Sequence, residues 1–236
     1  MNSRVNVAQA IRTMGSAVFT TRQIAALRGG SLSATSQALA RMEQRGLVQK
    51  VTRGVWCIPD DPRFSRYSLV PLLAGGHRAY VSLISALHLH GLIEQIPEIV
   101  YAVTTGHTRV RKTSIGTYSY HRIQPHFFAG FDWYGDKQDF LVATPEKALV
   151  DSLYLSSRKG KRFGFFPEIN LGAGFNFKLA YEWARRIEHD PWTRDYVLRR
   201  LEALEKGEAA TNQSFGLQTE SSCTPAGSQP HADNDQ

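Results

Sequence analysis

The sequence predicts an α+β protein on three observations. A helical period of apolar residues runs through residues 5 to 45, it gives way to alternation between Leu47 and Ile58, and beyond residue 80 helical and strand-like stretches interleave. The chain has 236 residues, 42% hydrophobic and 11% aromatic, enough to bury a sizeable core in one large or two modest domains.

Val7, Ile11 and Met14 recur at helical spacing and mark a first helix. Phe19-Thr20-Thr21 leads into a second, with a Thr as cap, Ile24 and Leu27 facing inward, and Gly29-Gly30 ending it. A third starts near Ser31 or Ser33, buries Leu39 and Met42, and stops at Gly46. Leu47 to Val51, the turn Thr52-Arg53-Gly54 and Val55 to Ile58 then read as a β-hairpin. Three helices and a hairpin make a winged helix-turn-helix domain over residues 1–60.

Residues 61–79 read as a connecting segment with a short helix around Leu69 to Leu73. A mixed α/β domain is expected over 80–206. It opens with a helix from a Ser82 cap to His90, followed by strands at Ile99 to Thr105, Gly116 to Ile123 and Asp139 to Val142. A helix begins at Thr144, and a closing pair spans Asn176 to Ile187 and Pro191 to Lys206, packed through Trp183, Ile187, Trp192 and Tyr196. Residues 207–236 are polar, with hardly any large apolar side chain, and are expected to be a disordered tail.

The net charge of +7 is unevenly spread. Residues 1–59 carry eight Lys/Arg and a single acid, Glu43, whereas residues 211–236 carry three acids and no Lys or Arg. A basic front end points to a polyanion, most often nucleic acid. The two cysteines, Cys57 and Cys223, are too far apart in character and position to suggest a disulfide framework. No apolar run is long enough for a membrane span and no secretory leader is visible, so a soluble cytoplasmic protein without a membrane partner is expected.

In a winged helix the third helix enters the major groove. With Leu39 and Met42 inward, a step of about 100° per residue turns Ser33, Ala34, Gln37, Arg41 and Gln44 outward. Gln suits an adenine edge and Arg a guanine edge. Arg53 at the wing tip, with Arg22, Arg28 and Arg45, is expected at phosphates or a minor groove. One reading helix gives limited affinity, so two copies on an inverted repeat are expected. Solvated Gln and Arg on a surface helix are the plain alternative.

Catalytic and metal patterns are weak. Thr144, Pro145 and Glu146 make a well-started helix, and Lys147 and Asp151, four apart, are expected to pair on its surface. Glu146 and Asp151 diverge by about 140° and do not converge on one proton. His88 and His90 diverge by about 200°, which disfavours a shared metal. No phosphate-binding glycine loop, nucleophile elbow or nuclease triplet occurs, so neither a catalytic residue nor a cofactor or metal is expected. Arg109-Val110-Arg111-Lys112 and Arg158 to Arg162 read as basic loops, with an acidic partner or RNA as the alternative to simple solvation.

Three blocks carry a family resemblance: RGLVQKVTRGVWCIP, SLISALHLHGLIEQIPEIVYAVTT and ATPEKALVDSLYL. They resemble the AbiEi antitoxins of type IV toxin–antitoxin and phage-defence loci. The resemblance implies a winged-helix repressor of its own operon with an antitoxic C-terminal domain. It also implies a nucleotidyltransferase toxin encoded alongside, neutralised directly or indirectly and often without a long-lived complex. Two other functions are weighed. One is a ligand-sensing regulator with a pocket lined by Trp133, Tyr134 and Phe127-Phe128; the other, less favoured, is a DNA-guided nuclease.

Overall fold

A computed structural model describes residues 5–135, 140–157, 168–172, 174–188 and 190–207. The expected tail beyond 207, Cys223 and the basic run from Arg158 to Arg162 lie outside the described residues.

The first helix, α1 (Val7–Met14), is capped by Asn6 and closed by Gly15 in the left-handed region. A strand the sequence reading did not foresee follows, β1 (Val18–Thr20), leading directly into α2 (Thr21–Arg28). Thr20 and Gln23 cap α2 reciprocally: each backbone N–H donates to the other's side chain. Thr21, Ile24 and Ala25 form the buried face of α2, so Leu27, expected inward, falls to one side and is 45% exposed. α3 (Leu32–Gln44) takes Ser31 as its cap and buries Thr35 and Leu39, with Met42 partly covered.

Leu47 is not part of the hairpin. Its N–H bonds back to Met42 O at 3.0 Å, and Gly46 N to Glu43 O at 2.9 Å, which terminates α3 and leaves Leu47 54% exposed. The hairpin proper is β2 (Gln49–Thr52) and β3 (Val55–Cys57), with Gly54 at φ +78 in its turn. β1 pairs with β3, giving a three-stranded antiparallel sheet in the order β1-β3-β2.

That sheet has apolar residues on both faces. Phe19, Val48 and Trp56 enter the core of the three helices with Ile11, Ile24 and Leu39. Val18, Val51, Val55 and Cys57 enter a larger core that continues among the described residues as far as Leu201. Further ties cross the same seam: Ser114 Oγ donates to Lys50 O at 2.7 Å, and Arg63 Nη1 to Gly15 O at 2.6 Å.

Residues 61–79 contain a 3-10 turn (Arg66–Leu69) and α4 (Val70–Leu73), burying Ser68, Leu69, Val70 and Leu73. A six-stranded sheet follows in the order β6-β7-β5-β4-β9-β8. Its members are β4 (Ala79–Val81), β5 (Val100–Thr104), β6 (Arg109–Thr113), β7 (Gly116–Arg122), β8 (Phe131–Trp133) and β9 (Leu141–Ala143). β4/β9 and β5/β7 are parallel and the remaining pairs antiparallel. The sequence reading located β5, β7 and β9, the last without Asp139, which is outside the described residues. It missed β4 and β8, and it took β6 for a loop.

α5 (Leu83–Leu89) packs on β5 and on α6 (Pro145–Ser156), which in turn meets α7 (Phe177–Arg185) and α8 (Pro191–Glu205). The closing pair is packed by Ala180, Trp183, Ala184, Ile187, Val197 and Leu201. Trp192, expected in that interface, is 62% exposed and stacks on Tyr196 instead, with ring centroids 6.0 Å apart. Trp192 sits at the outer side of the first turn of α8, while Thr193 and Val197 face inward and Tyr196, as expected, is half-buried against the core.

Gly130, at φ +76, lies where a Cβ would meet Trp183 Cζ2 at 2.6 Å and Lys147 Cγ at 2.9 Å. Gly130→Ala therefore combines a strained backbone with an overpacked core. It is expected to lower unfolding free energy by about 3 kcal/mol, read from denaturant midpoints at unchanged slope.

Candidate nucleic-acid interface

The candidate surface around α3 is assembled by a small set of polar contacts. Ser31 Oγ accepts from Ala34 N at 3.2 Å and Thr35 Oγ1 donates to Ser31 O at 2.8 Å, fixing the start of α3. Thr21 binds the wing twice: its N donates to Gly54 O at 2.9 Å, and its Oγ1 accepts from Trp56 Nε1 at 2.8 Å. Glu43 Oε1 accepts from Lys50 N at 2.9 Å, joining the end of α3 to β2. The one acid of the first 59 residues is thus half-buried and engaged with backbone, away from the exposed Gln37 and Arg41 side.

Ser33, Ala34, Gln37, Arg41 and Gln44 are all exposed along α3, as are Arg22 on α2, Arg45 just past α3 and Arg53 at the wing tip. Arg28 differs: it is half-buried, and its Nη1 donates to Thr35 Oγ1 at 3.3 Å, pinning α2 to α3. The second half of the chain packs on the wing sheet and leaves the Gln37 and Arg41 side uncovered. One basic run, noted in the sequence as a loop, proves to be a strand. Arg111 and Lys112 are exposed on β6, an edge strand that runs into the Ser114 turn docked on β2. The signal was their charge, read as a loop because β6 has only one apolar residue, Val110.

The charged pair on α6 corrects the sequence expectation. Lys147 and Asp151 are fully buried and form an ion pair with each other. Asp151 Oδ2 also accepts from Tyr80 OH at 2.9 Å and Ser82 Oγ at 2.8 Å, and Lys147 Nζ lies 3.8 Å from the Phe127 ring centroid. Ser82 was expected to cap α5 with its side chain, but spends it on Asp151. The next residue, Leu83, is buried at φ +56, a conformation rare for a branched side chain and held here by its neighbours. Glu146, expected only to meet the helix dipole, is buried and accepts from Asn176 N at 3.2 Å, anchoring α7.

Burial lowers the Lys147 pKa, and the Asp151 charge and hydrogen bond oppose that shift. Burial raises the Tyr80 phenol well above its usual range, and Asp151 adds to the rise. Lys147, Asp151, Tyr80 and Ser82 are all closed to solvent, so this ensemble offers a substrate no approach.

Elsewhere, His90 Nε2 is 2.7 Å from Ala143 O, while His88, expected to diverge from it, sits half-buried on α5. A cavity of about 170 Å³ is lined by Gln124, His126, Phe127, Tyr154, Ile187, Glu188 and Asp190. Of the pocket residues expected from sequence only Phe127 contributes; Tyr134 stacks on Phe140 and Trp133 is exposed. Among the described residues no helix is long and apolar enough to cross a membrane.

Compared with known families, residues 11–59 match the model described as a transcriptional regulator, AbiEi antitoxin. Over this segment the chain is AbiEi-like. The match spans α2, α3 and the wing, and bears out there the resemblance carried by the sequence block that ends at Pro59. The blocks around His90 and Glu146 lie beyond it, and no curated protein matches the chain.

Two outcomes follow from the buried groups. Asp151→Ala strands a buried ammonium and two hydroxyls, and is expected to cost about 3–5 kcal/mol in chemical denaturation. Burial also pushes the Cys57 thiol from its usual 9.0 up to about 11, and raises Tyr118 and Tyr120 above 10.0. The folded state therefore holds these protons more tightly than the unfolded one. The stability that these three groups contribute is fully present below pH 9.0 and declines as pH rises past 9.0 and 10.0 towards the folded values, while Lys147, its pKa lowered by burial, acts in the opposite sense. Denaturation midpoints from pH 8 upwards should fall accordingly, and Cys57 should resist alkylation at pH 8 until the chain unfolds.

Proposed function

We propose that this AbiEi-like chain is the antitoxin of a type IV toxin–antitoxin system, acting also as repressor of its own operon. Operator DNA is read by Gln37, Arg41 and Gln44 of α3 in the major groove, near Ser33 and Ala34. Arg53 meets the backbone or an adjacent minor groove, and Arg22 and Arg45 contact phosphates. Two copies occupy an inverted repeat. The residues from 80 to 206 counter a cognate nucleotidyltransferase toxin, directly or indirectly, and the reading assigns the chain no reaction of its own.

The observation that carries the DNA half is the free α3 face. Its outward residues are exposed, no carboxylate stands among them, and the body of the protein lies behind the wing sheet. Arg111 and Lys112 on β6 extend the basic field behind the wing and strengthen long-range attraction to a duplex. The antitoxin half is supported by the matched family's description.

Arg41→Ala is expected to relax base preference at one position of the site, removing about 1–3 kcal/mol of discrimination. Arg53→Ala should weaken binding to all duplexes and make the dependence of log affinity on log salt shallower by about 0.9. Selection of sites from a random duplex pool, followed by salt titration, measures both. The same full-length variants, co-expressed with the neighbouring toxin gene, should still rescue growth; loss of rescue in both would place antitoxicity on the DNA-reading surface and overturn this division.

A further inference from the structure

We infer that the second half of the chain sets the attitude of the wing, through a bulge at Val51 that Ser114 latches. β2 is an edge strand, with β3 as its neighbour in the sheet. Its register slips between Lys50, which faces Trp56, and Thr52, which faces Val55, so Val51 is an extra residue. Such a bulge bends its strand and increases the local twist.

Two contacts hold the bend, and both come from beyond residue 60. The Val51 side chain is buried in the core that also contains Tyr80 and Tyr118. Ser114 donates from Oγ to Lys50 O at 2.7 Å and from N to Val51 O at 3.5 Å. Successive carbonyls of a regular strand point to opposite edges, so one residue reaches both only because the strand is bulged here.

The latch itself is held firmly. Thr113 Oγ1 donates to Gly116 O at 2.8 Å and accepts from Ile115 N at 3.2 Å, closing the turn, and Ile115 packs on the larger core. Arg53 lies two residues past the bulge. Its far flank is tied to α2 through the bond from Thr21 N to Gly54 O, and its near flank leaves the bulge at the angle Ser114 fixes. Ser114 is thus a positioning residue for the wing arginine. It acts through strand geometry and touches no DNA itself.

This inference rests on the DNA reading proposed above, and a double-mutant cycle in the full-length protein separates the two. Ser114→Ala should weaken binding to the duplex selected from the random pool about threefold at an unchanged thermal midpoint, and Ser114→Thr, which keeps the hydroxyl, should bind like the unmutated chain. With Arg53→Ala already present, Ser114→Ala should add no further loss, because the residue it positions is gone. Unchanged affinity in Ser114→Ala, equal loss in Ser114→Thr, or a loss that adds in full to that of Arg53→Ala overturns the latch while leaving the DNA reading intact. If the unmutated protein selects no duplex at all, the DNA reading fails and takes the latch with it.

Discussion

Two strands of the wing sheet, β1 and β3, are covered on both faces, leaving only the edge strand β2 with exposed side chains at Lys50 and Thr52, and this constraint organises the rest of the molecule. Side chains of a strand alternate between faces, so Phe19 and Trp56 are committed to the helices in front, and Val18, Val55 and Cys57 to the core behind. A winged helix in which one sheet face is solvated can swing on its linker; here that face is the floor of the larger domain. Among the described residues the exposed face of α3 is therefore held by packing of the sheet on the rest of the protein, and the access to DNA proposed for it needs no hinge.

The second organising interaction is the buried ion pair on α6. Lys147 and Asp151 do what a surface pair of the same spacing cannot: they bind β4 through Tyr80 and Ser82, while Glu146 binds the start of α7. Buried charges are costly unless every partner is in place, so such a pair favours one arrangement of sheet and helices over near alternatives. Gly130 is part of the same packing, since only a residue without a Cβ lets β8 approach Lys147 and Trp183.

How much of this was legible follows from where the information lies along the chain. α1, α2, α3 and the hairpin were legible because their periods and caps are local, and so were the outward residues of α3. The double burial of the hairpin was present as the continuous apolar run Val55-Trp56-Cys57-Ile58, which marks a strand covered on both sides and was read as plain alternation. The depth of Lys147 and Asp151 was not readable, because spacing on α6 is the same whether or not Tyr80 and Ser82, some seventy residues earlier, close over it. β6 was hidden by its own charge: an edge strand needs few apolar residues, and basic ones discourage further strand pairing. Leu27 and Trp192 show the reverse error, large apolar residues assumed to be buried that lie on the outer sides of their helices.

The alternation of β3 also bears on how proteins of this architecture could diversify. A winged helix exchanged between two such chains would have to bring with it not only the residues proposed to meet DNA but every second residue of its sheet, matched to the new owner's interior. Shuffling at the Pro59 boundary would yield mismatched cavities or clashes at positions 18, 51, 55 and 57. New sequence preferences should then arise more readily by drift along the outer side of α3 than by wholesale trade of modules.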